Sequence, residues 1–129
     1  MRVLQIDPGK SPKVVELDGS LASMQAAVGG CIEAIYPFEE PVALVANEEG
    51  KLNGLPLNRA LWDANRNRFY DIIAGTFFLC AAPPDSENFE SLSEEQIQRY
   101  TKRFQMPQQF LSLNGELLVL PIPEDPHAG

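Results

Sequence analysis

Apolar residues recur along this chain with two different periods, and their order predicts most of the secondary structure. "RVLQI" (Arg2 to Ile6) and "KVVEL" (Lys13 to Leu17) are short and apolar-rich. "DPGKSP" separates them, its Pro8-Gly9 step favours a turn, and the three together predict a β-hairpin. Leu21, Met24 and Val28 fall at i, i+3 and i+7, one face of a helix with Ser20 as N-cap and Gly29-Gly30 as its stop. "CIEAIYPF" (Cys31 to Phe38) alternates and predicts a strand. "PVALVA" (Pro41 to Ala46) is uninterrupted, as in a strand buried on both faces. "DIIAGTFFLCA" (Asp71 to Ala81) carries the strongest strand pattern, with Gly75 marking a bulge or a close backbone approach. "ALWDANRNRFY" (Ala60 to Tyr70) shows neither period cleanly and is read as a short helix, then a loop.

The clearest helix start follows a Pro-rich acidic loop, Ala82 to Ser91. Ser93 is the N-cap, Gln96 completes a capping box, and Leu92 with Ile97 forms a hydrophobic staple. Ile97, Tyr100 and Phe104 give the apolar face; Glu94 and Glu95 sit at the positive end of the dipole, Lys102 and Arg103 at the negative end. Beyond Pro107, Asn114-Gly115 between two apolar runs is a strong hairpin signal. The expectation is therefore an α+β fold: a mostly antiparallel sheet of five to seven strands with two main helices packed on it. Residues 1–105 would form one domain; residues 106–129 would be an extension, a hairpin and then a disordered tail, "EDPHAG".

Composition narrows the functions. The chain has 129 residues, enough for one domain, and at 44% hydrophobic residues it can bury a core. Its formal charge of -8 argues against binding nucleic acid through phosphates and against docking on anionic membranes. The longest apolar run, Ile72 to Ala82, is too short to span a bilayer, and the N-terminus lacks the pattern of a signal peptide, so a cytoplasmic protein is expected. Cys31 and Cys80 each lie in an apolar segment and read as buried free thiols, with a disulfide between them left open.

Few chemistries remain. The single His, His127, is two residues from the end, so nothing in the pattern supports a nucleophilic triad. No CxxC, paired His or GxGxxG motif is present, and no metal or cofactor is expected. "PGKS" is not a phosphate-binding loop, because Leu4 occupies the position of its first Gly and Pro12 follows. Carboxylates are left: Glu48 or Glu49, just past a strand, could serve as a general base. Neighbours in extended backbone point to opposite faces, so the two would not act as a pair.

The stretch "NEEGKLNGLPLNR" (Asn47 to Arg59) has two readings. In one it is scaffold: Gly50 supplies positive φ in a turn, Asn53-Gly54 makes a second turn, Asn58 caps a helix, and Arg59 pairs with Glu48 or a carbonyl. In the other, Asn47, Glu48, Asn58 and Arg59 form a binding site, with Arg59 on an anionic group and the Asn amides fixing orientation. Arg59, Arg66 and Arg68 suggest a small basic patch; Trp62, Phe69 and Tyr70 suggest core or interface aromatics. "ELLVLPIP" could be an edge strand that pairs with a second copy to make a homodimer.

Four blocks in order, "GSLASMQAAVGGCIEAI", "LVANEEGKLNGLPLNRAL", "DIIAGTFFL" and "LSEEQIQRYTKRF", resemble the domain of unknown function family 3846, over about Met1 to Gln105. The resemblance implies a small cytoplasmic bacterial domain, with a mobile element as its setting, and transfers no activity or catalytic residue. The main expectation is a module that binds a protein or small molecule; the alternatives are a small enzyme using Glu48 or Glu49, and an acidic mimic of nucleic acid.

Overall fold

The computed structural model describes residues 1–63, 66 and 68–123, and among them it forms nine strands and two helices. The strands are β1 (Arg2–Ile6), β2 (Lys13–Glu16), β3 (Ile32–Ile35), β4 (Val42–Asn47), β5 (Leu57–Asp63), β6 (Arg68–Ala74), β7 (Phe77–Ala81), β8 (Gln108–Leu113) and β9 (Glu116–Pro121). The helices are α1 (Leu21–Val28) and α2 (Glu94–Arg103).

Two strands without a polar interruption, β4 and β7, become the middle of an antiparallel sheet ordered β2-β1-β7-β4-β3. Their side chains alternate between two cores. Val42, Leu44, Phe77 and Leu79 face α2 and the β5–β6 hairpin; Ala43, Val45, Phe78 and Cys80 face α1. Covering on both faces is why these strands are apolar, save for Asn47 at the end of β4, even though the sheet is antiparallel. Two further two-stranded sheets, β5-β6 and β8-β9, complete the chain, so strand outweighs helix and the helices are only part of the packing on the sheet.

The helix ends follow their sequence signals. Ser20 Oγ accepts from Ser23 N, and Gly29 closes α1 in the left-handed region. Ser93 and Gln96 form the reciprocal capping box of α2, and the staple residues Leu92 and Ile97 are both buried. Leu21 departs from the expected face of α1: it is exposed, while Met24 and Val28 are buried. Cys31 is exposed too, outside the core, while Cys80 is buried, its thiol pushed up to about 12 by burial; both are free.

The main correction lies at Ala60 to Tyr70. Among the described residues of this stretch no helix forms; β5 runs through Asp63 and pairs antiparallel with β6. The register of that pair shifts twice, between Leu57 and Arg59 and between Leu61 and Trp62, and the shifts erase the alternation that would announce a strand. Asp71 to Ala81 likewise divides into the end of β6 and β7. Gly75 breaks it at φ 80°, and a Cβ there would sit 2.8 Å from Leu55 Cδ1. His127 and the "EDPHAG" segment lie outside the described residues. Among the described residues no helix is long and apolar enough to cross a membrane.

Candidate functional site

The segment after β4 folds into a tight double turn. Asn47 is buried; its amide donates to Val28 O (3.2 Å) and its Oδ1 accepts from Glu49 N (2.8 Å). Asn53 N donates to Glu49 O, and Leu55 N to Gly50 O. Gly50 does not take the positive φ expected of it. It is needed for space instead, since a Cβ would lie 2.8 Å from Ala74 O. Lys51 Nζ reaches Asp71 (2.8 Å) across the hairpin. A cavity of about 230 Å³ opens here, lined by Glu33, Asn47, Glu48, Glu49, Lys51 and Asp71 among others. Glu48 and Glu49 are both exposed.

Asn58 and Arg59 do not line this cavity. Both are buried in β5, with no helix for Asn58 to cap. Asn58 Nδ2 donates to Ile6 O and Gly75 O, each at 2.8 Å, tying β5 to the main sheet. Arg59 donates to Phe104 O from Nη2 (3.0 Å) and Nε (3.3 Å), to Lys10 O from Nη2 (2.6 Å), and to Asn58 Oδ1 from Nη1 (2.9 Å). Among the described residues it has no carboxylate partner; carbonyls satisfy its forked donors, one of them at the C-terminal end of α2, where the dipole favours a cation. Burial lowers its pKa to about 10, which leaves it charged at neutral pH. The carbonyl pairing read from sequence is therefore what forms, with Phe104 and Lys10 rather than with Glu48. Arg59 also drops out of the expected basic patch, leaving Arg66 and Arg68 exposed. Of the four candidate residues, the structure groups Asn47 with Glu48 at the cavity and Asn58 with Arg59 in an internal strut.

A second feature is the β8–β9 ribbon. Asn114 (φ 54°) and Gly115 (φ 81°) form its two-residue turn, and Gln108 Oε1 accepts from Ala60 N (2.7 Å) to anchor its base on β5. Leu111 is opposite Leu118 and Gln109 opposite Leu120. Side chains alternate along a strand, so Leu111, Leu113, Leu118, Leu120 and Ile122 share one face. All five are between 38% and 59% exposed. Phe110 and Val119, opposite each other on the other face, are half-buried. The leucine face therefore points away from the body. The alternating leucines on either side of Asn114-Gly115 are the signal in the sequence that could have found it.

Comparison with known proteins adds a family without a function. The family model described as "Domain of unknown function (DUF3846)" matches residues 1–105, and the chain belongs to that family. No curated protein and no solved structure matches it.

Proposed function

We propose that this member of the DUF3846 family is an interaction module whose contact element is the β8–β9 ribbon, and that the ribbon's occupant is a second copy of the chain. The carrying observation is a group of five apolar side chains on one face of a two-stranded sheet, bordered on that face by Gln109 and Glu116 and left 38% to 59% exposed by the described residues. Such a ribbon is marginal in water on its own and gains order when its apolar face is buried. Residues 106–123 hold one ionisable side chain, Glu116, in a chain with 18 acidic and 10 basic residues. A charged partner would find only Glu116, at the turn end of the leucine face, to pair with, whereas a copy related by a twofold axis meets the five apolar side chains with their own equals, about 10 Å apart.

The size of the face sets the strength. Fully burying an exposed aliphatic side chain contributes about 1.5–3 kcal/mol. Half-exposed residues give roughly 1 kcal/mol each, so ten across the interface give about 10 kcal/mol. That exceeds only the low end of the cost of association. The dimer is thus weak, with a dissociation constant in about the tens-of-micromolar range.

Salt dependence tests the choice of occupant. Two bodies of charge -8 repel each other, and salt screens that repulsion. Sedimentation velocity at rising sodium chloride will show the dimer fraction increasing. Dissociation with salt would mean that ion pairs, not leucines, hold the copies together, and would overturn the assignment.

A further inference from the structure

We propose that β3, the outer strand of the five-stranded sheet, takes up an extended peptide of alternating basic and apolar residues as a further antiparallel strand. Its basic side chains would lie over the carboxylates of Glu33, Glu48 and Glu49. This edge is independent of the ribbon.

β3 ends the sheet and pairs on one side only, with β4. The ladder settles which of its backbone groups face outward. Glu48 N donates to Cys31 O (2.9 Å), which makes Cys31 and Glu48 a hydrogen-bonded pair. Backbone direction alternates in an antiparallel ladder, so Glu33 and Ile35 also turn their N–H and C=O groups toward β4. Ile32 and Ala34 turn theirs outward. The far side of β4 agrees: Ala82 N donates to Pro41 O, so the odd-numbered residues from Pro41 onward serve β7 and the even-numbered ones serve β3. Among the described residues the outward groups of Ile32 and Ala34 have no partner. Sheet edges are commonly blunted by a Lys, a Pro or a bulge. The opposite edge, β2, opens with Lys13. β3 reads Ile-Glu-Ala-Ile, and its register with β4 runs without a shift.

Charge selects the occupant. Glu33 and Ile35 line the cavity of about 230 Å³, so the open edge runs along it. That volume is under the roughly 300 Å³ of the smaller ligand sites and suits one long side chain. Four carboxylates line it, Glu33, Glu48, Glu49 and Asp71, against one ammonium, Lys51, which already lies 2.8 Å from Asp71. Glu33, Glu48 and Glu49 are exposed and have no ion pair or side-chain hydrogen bond among the described residues. A second copy pairing here would add its own Glu33 to these carboxylates, whereas lysine or arginine neutralises them. On the other face of the edge, Ile32 and Ala34 are half-buried against the core under α1. Residues directly opposite share a face, so the strand's basic residues lie opposite Glu33 and Ile35 and its apolar ones opposite Ile32 and Ala34.

Fluorescence anisotropy of a labelled hexapeptide of alternating lysine and valine tests this. Saturable binding is expected, at least tenfold weaker when glutamate replaces the lysines and at least tenfold weaker to Glu33→Lys. Glu33 is exposed, so circular dichroism of that variant should match the parent. Backbone methylation locates the contact. The valines lie opposite Ile32 and Ala34, so their N–H groups turn toward β3 and those of the lysines turn away. Methylating the valine amides should weaken binding at least tenfold, and methylating the lysine amides should leave it within about twofold of the parent peptide. Equal binding by the two methylated peptides would mean that charge alone attracts the peptide, and would overturn strand addition. Binding unchanged in Glu33→Lys would overturn its placement at β3, and no saturable binding would overturn both.

Discussion

Replacing Arg59 with methionine will lower the melting temperature by about 10 °C. Methionine keeps much of the buried apolar stem but leaves Phe104 O and Lys10 O without the donors they have in the parent. A buried acceptor left unsatisfied costs about 1–3 kcal/mol; Phe104 O is buried, whereas Lys10 O is part-buried and regains some solvation, so the two together cost about 2–3 kcal/mol. Relief from burying a cation offsets part of this, but the guanidinium is already well satisfied by carbonyls at three backbone or side-chain positions. Arg59→Lys should also destabilise, because an ammonium cannot span Lys10 O, Phe104 O and Asn58 Oδ1 as the fork does. Thermal melts by circular dichroism read both variants. A melting temperature within about 2 °C of the parent would mean that the strut is dispensable, and would return Arg59 to candidacy as a ligand contact.

Leu118→Lys will abolish self-association while leaving the fold intact. Leu118 sits opposite Leu111 in the middle of the apolar face, so a twofold axis would bring two ammonium groups into a desolvated contact. Burying two like charges against each other costs several kcal/mol, more than the one carboxylate on that face, Glu116, can offset, and this weakens the dimer by a factor of about 100 or more. The side chain is exposed in the single chain, so the melting temperature at low protein concentration should stay within about 2 °C of the parent. Leu117 provides the control: it is adjacent and 50% exposed, but it lies on the opposite face. Leu117→Lys should dimerise like the parent. If both variants dimerise, the leucine face is not the contact; if both fail, the edge of the ribbon rather than its face is.

Much of this architecture is legible in the sequence, for reasons that particular residues show. Ser93, Gln96, Leu92 and Ile97 encode a helix start within six positions, and local signals of that kind survive any tertiary context. Asn114-Gly115 encodes its turn as directly. The uninterrupted run of β4 gives away its burial on two faces, though not which elements cover it. What stays hidden is non-local. The β5–β6 pair carries two register shifts, so its residues follow neither a period of two nor one of 3.6. Gly50 looks like a turn glycine, but its role is set by Ala74 O, far along the chain. The candidate site shows the same division. Asn47 to Arg59 attracts attention for its amides and charges, yet Asn58 and Arg59 face inward because carbonyls of Ile6, Lys10, Gly75 and Phe104 converge on them. Arg103, read from sequence only as a dipole partner of α2, acquires its place over Phe38 through packing that no spacing rule displays.

The molar mass of the full chain, measured by light scattering across a concentration series up to about 1 mM, decides whether the ribbon joins two copies. A mass rising from one chain toward two, with its midpoint at about tens of micromolar, is the predicted result. A single-chain mass throughout the series would contradict it and leave the leucine face to a different partner.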